Sequence, residues 1–161
     1  MMKREKPLKR HQALIPYSHD HHAGLMFILN IRKGLKNNIA AERISKYVLF
    51  FFHEDLKQHF HDEELHIFPL LPANNLLRIQ AEQEHRNIYL LIEKIDTEQS
   101  DSSLLTLFSD TLENHIRFEE RILFPYIQKN ISLPEVLHSR SVNMLPECDT
   151  SNRWADPFWV N

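Results

Sequence analysis

The chain has 161 residues, a net charge of −3 and 42% hydrophobic residues, which suits one globular domain with a single buried core. It contains only two glycines, whereas a phosphate-binding loop of the GxGxxG or GxxxxGK type needs several close together. Nucleotide-binding α/β folds are therefore excluded. Lysine and arginine are scattered rather than clustered, so no nucleic-acid partner is expected.

No stretch of the sequence approaches the roughly 20 consecutive apolar residues of a transmembrane helix, and no membrane partner is expected. The basic start of the chain is not followed by the apolar stretch of a secretory signal. The single cysteine, Cys148, cannot form an internal disulfide, which favours a reducing, cytoplasmic location. Histidine is the unusual residue, because the chain contains 11 of them, dispersed along its length.

Apolar residues recur at steps of three and four over four stretches, which predicts four helices. These stretches are residues 18–36, 41–71, 75–96 and 103–130. The connections between them are short and rich in polar residues, and Ser102 and Ser103 are candidates for capping the fourth helix. Short connections join antiparallel neighbours, so the predicted fold is all-α, an antiparallel up-down-up-down four-helix bundle.

The predicted bundle occupies residues 15–130, and residues 131–161 form a C-terminal extension. A short helix is expected to begin at Ser132. Further along, the extension carries three large aromatic residues, Trp154, Phe158 and Trp159. We expect these side chains to pack on the bundle. The alternative is that they contact another protein or a second copy of the chain in a homodimer.

Two segments of the sequence repeat each other. HFHDEELHIFPLL at 59–71 aligns without gaps with HIRFEERILFPYI at 115–127. A weaker match relates Asp-His-His at 20–22 to Glu-His-Arg at 84–86. The chain therefore resembles two helical hairpins related by a pseudo-twofold axis.

The second and fourth predicted helices each place a histidine and a glutamate on the apolar face. The apolar stripes are Phe52, Leu56, His59, Glu63, Ile67 and Leu70 in the second helix, and Phe108, Leu112, His115, Glu119, Ile122 and Tyr126 in the fourth. His21 and His85 share faces with apolar residues of the first and third helices. At a rise of about 1.5 Å per residue, antiparallel helices bring these four histidines to nearly one level.

A carboxylate in the core is costly unless it is paired or bound to a metal. One HxxxE motif alone is typical of an exposed ion pair, but two in register on apolar stripes indicate a shared site. Four imidazoles and two carboxylates without a thiolate suit non-haem iron or manganese, and exceed the ligands of one tetrahedral zinc. We interpret the cluster as two metal ions bridged by Glu63 and Glu119.

These motifs resemble the hemerythrin-like (HHE) domain. The matching residues are D-H-H at 20–22, E-H at 84–85, and H-x-x-x-E-E-x-x-x-F-P from 59 and from 115. The resemblance covers about residues 15–130 and implies a non-haem centre of two iron ions, of the Fe-O-Fe type, with manganese or zinc as possible substitutes. The ligands that it implies are His21, His59, His85 and His115, with Glu63 and Glu119 as bridging carboxylates.

The sequence departs from the oxygen-carrying hemerythrins at two places. Carriers have a second histidine four residues from the one on the third helix, where this chain has Ala81 and Tyr89. Carriers also have a motif similar to HxxxxD on the fourth helix, and the residue of this chain at the position of its aspartate is Glu120. On a regular helix Glu120 would point about 140° away from His115, which favours Glu119 as the ligand. Both departures argue against reversible oxygen carriage.

Other side chains are candidates for completing the site. Glu82 or water can take the place of the missing histidine, and Tyr17 and Tyr89 lie four residues from ligand positions. The leading interpretation is a protein that binds or senses oxygen, nitric oxide or iron, and the expected small ligand is oxygen, nitric oxide or peroxide. The alternatives are an oxidase or peroxidase that uses the same site, and a structural bundle that binds metal weakly.

Overall fold

The computed structural model describes residues 8–137 and 153–160. In that part of the chain the regular structure is helical, without a strand, as the all-α prediction requires. The four long helices, numbered here in chain order, are α1, Ile15–Lys36; α2, made of Ala41–Phe51, Phe52–Leu56 and Lys57–His66; α3, Leu76–Thr97; and α4, made of Ser102–Phe118, Glu119–Leu123 and Phe124–Asn130. A short 3₁₀ turn, Phe68–Leu70, follows α2.

The first two connections between helices use asparagine. Asn38, between α1 and α2, has a φ of 54°, in the left-handed region that asparagine tolerates better than most residues. Asn75 caps the start of α3, because its side-chain oxygen accepts hydrogen bonds from the backbone N–H groups of Leu77 at 2.9 Å and Arg78 at 3.3 Å. Both connections lie in the short polar segments where the sequence analysis placed the ends of the helices.

The cap of α4 differs from the predicted one. Asp101, not Ser102 or Ser103, accepts the hydrogen bond from the backbone N–H of Leu104, at 2.8 Å. Asp101 has the extended backbone of a capping residue, whereas the two serines already lie inside the helix. A carboxylate at this end also faces the positive pole of the helix.

Both α2 and α4 contain a π-helical turn of five residues, Phe52–Leu56 and Glu119–Leu123. The turn in α4 precedes Pro125, which has no N–H to donate and whose ring crowds the carbonyl four residues earlier. The helix therefore widens before the proline.

The π turn of α4 rotates the residues that follow it, so the predicted apolar stripe is wrong at its end. Ile122 and Tyr126 are 51% and 38% exposed. Leu123 and Ile127 take their places and are fully buried. From His115 onward the buried positions Glu119, Leu123 and Ile127 are each four residues apart, because the turn contains one extra residue. The predicted step of three residues from Glu119 to Ile122 is therefore wrong.

Two apolar clusters form the core. The larger contains Phe27, Phe51 and Phe108, with the Phe27 and Phe51 rings stacked at a centroid distance of 3.9 Å. The smaller contains Phe68 and Phe124. The buried residue His85 contacts both clusters, because its ring lies 3.9 Å from that of Phe60 in the larger and 4.9 Å from that of Phe68 in the smaller.

Past α4, the expected helix from Ser132 is absent, since residues 131–137 have no regular structure. Pro134 accounts for this, because a proline disfavours helical backbone at the preceding residue, Leu133. The basic start at residues 1–7, His138 and Cys148 lie outside the described residues.

Residues 153–160 pack on α1 and α2. The ring centroids of Phe158 and Trp159 lie 5.4 and 4.8 Å from that of Tyr47, and both side chains are buried. Trp154 packs on Tyr47 as well, at 5.9 Å. A Cβ atom on Gly34 would lie 2.6 Å from the Phe158 ring, so this part of α1 requires glycine. The packing expected for the three aromatic residues is present.

Among the described residues, no helix combines the length and the apolar character needed to cross a membrane.

We predict that Phe108→Ala lowers the free energy of unfolding by about 3–5 kcal/mol, because Phe108 is fully buried and its removal leaves a cavity. Its neighbour Leu107 is 53% exposed and provides the matched control, so Leu107→Ala should change stability by less than about 0.5 kcal/mol. Urea unfolding followed by circular dichroism measures both values. Equal losses would show that the burial of α4 is wrongly assigned.

Candidate metal centre

Six ionisable side chains from the four helices meet in the interior, each no more than 4% exposed. They are His21 of α1, His59 and Glu63 of α2, His85 of α3, and His115 and Glu119 of α4. These are the six residues that the sequence predicted as metal ligands. The structure brings them together, and their binding of metal stays a prediction.

The six residues form two groups that share both carboxylates. One group contains His21 and His59, and the other contains His85 and His115, with Glu63 and Glu119 in each. Within each group, one ligand atom per residue lies within 4.8 Å of every other. Each group therefore has two imidazoles and two carboxylates as possible ligands for one cation.

The two oxygens of Glu63 point at different groups. Oε1 lies 3.3 Å from Nε2 of His21 and 2.8 Å from Nε2 of His59, while Oε2 lies 3.2 Å from Nε2 of His85.

Glu119 is arranged in the same way, with Oε2 at 2.9 Å from Nε2 of His21 and Oε1 at 3.1 Å from Nε2 of His115. Each carboxylate thus offers one oxygen to each group, as a carboxylate that bridges two metal ions does.

These short contacts do not have the geometry of hydrogen bonds. Both oxygens of Glu63 and of Glu119, and Nε2 of His21, are buried without a hydrogen-bond partner among the described residues, an arrangement that is costly in a protein interior. Two ligand atoms at right angles, each about 2.1 Å from one ion, lie about 3.0 Å apart. The observed distances match this spacing, so the residues fit a pair of metal ions.

Each of the four histidines has a second carboxylate on its outer side. Nδ1 of His59 lies 2.8 Å from Asp20, Nδ1 of His21 lies 2.7 Å from Glu120, Nδ1 of His85 lies 2.7 Å from Glu64, and Nδ1 of His115 lies 3.3 Å from Glu84. An ionised carboxylate only accepts hydrogen bonds, so Nδ1 is the donor in each pair. This keeps the proton on Nδ1 and leaves Nε2 of a neutral imidazole as the inward ligand.

The sequence analysis missed these outer carboxylates, although the sequence contains a signal for them. Asp20 and Glu84 come directly before the histidines of α1 and α3, and Glu64 and Glu120 come directly after Glu63 and Glu119. Each outer carboxylate accepts a hydrogen bond from Nδ1 of a histidine on another helix. The pattern follows the pseudo-twofold repeat, and each residue in one half has its counterpart in the other.

Glu120 lies in the π turn of α4, whereas its counterpart Glu64 lies in a regular part of α2. In both helices the glutamate that follows the inward one reaches a histidine of another helix. In the π turn Glu119 faces inward while Glu120 reaches His21. Ser18 donates a hydrogen bond to Glu120 at 2.6 Å, and Arg10 forms an ion pair with it at 2.7 Å.

The electrostatics of the metal-free cluster favour ion pairs. Burial alone would lower the pKa values of His59 and His115, but the carboxylates outweigh it and raise the pKa of His59 to about 9 and that of His115 to about 10. The pKa of His21 is raised as well. Burial would raise the pKa of Glu63, yet the three neighbouring histidines lower it well below its ordinary value.

A family model described as the hemerythrin HHE cation-binding domain matches residues 13–127. The chain belongs to this family. Comparisons with curated proteins and with solved structures give no significant match. As an HHE domain, the chain is expected to bind metal cations, and the buried histidines and glutamates are the groups that can hold them.

The third helix of this HHE domain shows what occupies the place of the missing histidine. Ala81 is fully buried among apolar residues. Glu82 belongs to neither ligand group, since its carboxylate pairs with Arg78 at 2.8 Å. Tyr89 lies behind His85, where its hydroxyl donates a long hydrogen bond of 3.5 Å to Glu64. Tyr17 is buried with its ring 6.1 Å from that of His59.

The remaining histidines of the described chain lie outside both ligand groups. They are His11, His19, His22, His53, His61 and His66. His19, His22, His53 and His61 are exposed. The ligand groups therefore contain only the histidines of the repeated motifs.

We predict that metal binding at pH 7 releases protons. The pKa values of His59 and His115 lie above 7 in the metal-free protein, so both carry a proton that a metal ion displaces. Metal affinity should therefore rise as the pH increases from 7 towards 9. Isothermal titration calorimetry in buffers with different ionisation enthalpies measures the release, and an affinity that is constant over this range would contradict the pairing.

We also predict that the outer carboxylates increase the affinity of the site for metal ions. Asp20→Asn keeps the size of the side chain but removes the charge that holds His59, and should weaken metal binding about 10–100-fold. Asp110→Asn is the matched control, because Asp110 forms an exposed ion pair with Arg32. Competition with a chromophoric chelator measures both. Equal affinities would mean that the contact with Asp20 has no effect on the centre.

Proposed function

We propose that this HHE domain holds two non-haem iron ions and binds or senses oxygen, nitric oxide or peroxide. The observation that carries the proposal is the sharing of Glu63 and Glu119, each with one oxygen towards each pair of histidines. The nitrogen and oxygen ligands, without a thiolate, suit iron. Manganese and zinc are the substitutes that the same ligands accept, with zinc disfavoured by the number of ligands.

When bound, two iron ions supply one-electron redox chemistry and open positions for a small ligand. The chain's own residues supply the rest. The outer carboxylates orient the imidazoles, and the apolar rings around the site exclude water. Phe60 stacks on His85 at a centroid distance of 3.9 Å, and Phe124 stacks on His21 at 5.4 Å.

The proposal includes the arrangement of the helices. The connection between α1 and α2, residues 37–40, is short, and short connections favour antiparallel packing of successive helices. An up-down-up-down order also explains how histidines from four helices reach one level. Small ligands are the partners proposed here, and a cytoplasmic location goes with the proposal.

An oxidase or peroxidase is the second candidate, favoured by the charge around the site. Beyond the two bridging glutamates, four more carboxylates face the histidines: Asp20, Glu64, Glu84 and Glu120. Negative oxygen ligands and neighbours stabilise iron in its higher oxidation state. Such a site gives electrons to oxygen more readily than it carries oxygen reversibly.

We predict two iron ions per chain after expression with sufficient iron. His59→Ala and His115→Ala should each remove most of the metal but preserve the helical circular dichroism, because each variant keeps both apolar clusters. His53→Ala is the matched control, since His53 belongs to neither ligand group. Metal analysis by mass spectrometry gives the stoichiometry. A saturation at one zinc ion per chain would refute the di-iron proposal.

We further predict that air oxidises the ferrous protein to a stable ferric form. The third helix offers a single histidine, His85, with Ala81 one turn before it, so each of the two groups offers only two imidazoles beside its carboxylates. Optical spectra before and after exposure to air follow the change. Recovery of the ferrous spectrum after removal of oxygen, without an added reductant, would instead support reversible oxygen binding.

A further inference from the structure

A small cavity borders the metal centre on the side of His21 and His59. Its volume is about 20 Å³, enough for a molecule of the size of water or slightly larger. Its lining is almost entirely apolar and includes Gly24, Phe51 and Leu56. An uncharged small molecule would enter it more readily than an ion.

One wall of this cavity is the junction between Phe51 and the π turn Phe52–Leu56, and Asp55 also lines it. In this turn the backbone N–H of Lys57 bonds to the carbonyl of Phe52, five residues back. Such turns are rare in proteins and are frequently found at functional sites. No proline lies in this segment to impose the π turn.

The C-terminal residues 153–160, called the latch below, contact this wall directly. Arg153 of the latch forms an ion pair with Asp55. Trp154 packs on Phe50, which precedes the wall, at a centroid distance of 5.0 Å.

The rest of the latch is fixed beside the wall by two further contacts. Asp156 receives two hydrogen bonds from Arg43, at 2.7 and 3.0 Å. Phe158 occupies the space left open by Gly34 and contacts Tyr47, whose ring lies 5.1 Å from that of Phe27. Phe27 in turn stacks on Phe51, a residue of the cavity wall. The latch therefore contacts the wall directly at Asp55 and indirectly, through Tyr47 and Phe27, at Phe51.

We propose that the latch controls the access of small uncharged molecules to the metal centre by holding the π turn Phe52–Leu56 in place. With the latch docked, the Arg153–Asp55 pair and the aromatic contacts keep the wall closed. When the latch leaves, the turn loses these contacts, moves more freely, and admits small molecules faster. For the metal-loaded protein this inference rests on the proposed function.

The experiment compares two variants that release the latch in different ways. Arg153→Gln removes the ion pair with Asp55, and Gly34→Ala fills the space of Phe158 while favouring helix formation in α1. Arg32→Gln is the matched control, because it removes an ion pair with Asp110 and Glu113 that involves neither the latch nor the wall. Both tryptophans of the chain, Trp154 and Trp159, lie in the latch, so their fluorescence reports its release.

In the metal-free protein, hydrogen–deuterium exchange at residues 52–56 measures the motion of the wall. In the ferrous-loaded protein, stopped-flow absorbance measures the rate of reaction with nitric oxide. We expect both release variants to show red-shifted tryptophan emission, faster exchange at 52–56, and a several-fold higher rate with nitric oxide. Arg32→Gln should match the unaltered protein in all three measurements.

Two results would overturn the inference. One is native tryptophan emission in both release variants, which would show that these contacts do not hold the latch. The other is red-shifted emission with unchanged exchange and unchanged rates, which would show that the latch does not support the wall. If the unaltered protein binds no iron, the proposed function fails, while the exchange measurement still decides whether latch and wall are coupled.

Discussion

The burial of Glu63 and Glu119 is the constraint on which the rest of the structure depends. Two fully buried carboxylates without hydrogen bonds would each cost several kcal/mol if uncompensated. In the metal-free protein the compensation comes from histidines whose pKa values are raised until they carry charge. A metal ion held by the same residues would replace those protons with a stronger and more directional positive charge. The cluster would then exchange protons for a cation.

The surroundings of this cluster keep the imidazoles in position. Aromatic rings lie against their faces, and carboxylates bind their outer nitrogens. His21 is the most extensively supported, because Glu120 behind it is itself held by Ser18 and by Arg10 from the segment before α1. Rigid ligands reduce the reorganisation that metal binding requires. The N-terminal segment is therefore part of the support for the centre.

Much of the fold and the ligand cluster could be predicted from sequence, because both follow from periodicity. The spacing of apolar residues located the four helices, and the repeated motif located the six clustered side chains. Three features lay beyond that reasoning. The π turn of α4 adds a residue that no periodic pattern contains, which moved Ile122 and Tyr126 outward. The cap at Asp101 could not be predicted because it is decided by backbone geometry. The outer carboxylates could not be predicted because their contacts join different helices, as in the pair of Asp20 with His59.

The π turn Glu119–Leu123 also bears on how this chain tolerates changes in length. Deleting one residue from a regular helix rotates everything beyond it by about 100°. In α4 the turn already contains a surplus residue, so deletion of Glu120 restores a regular helix in which Leu123 and Ile127 stay on the buried face. That deletion removes the carboxylate that binds Nδ1 of His21. The fold would lose little, whereas one histidine would lose its outer carboxylate, so in this segment chain length is constrained by the metal centre more than by the bundle.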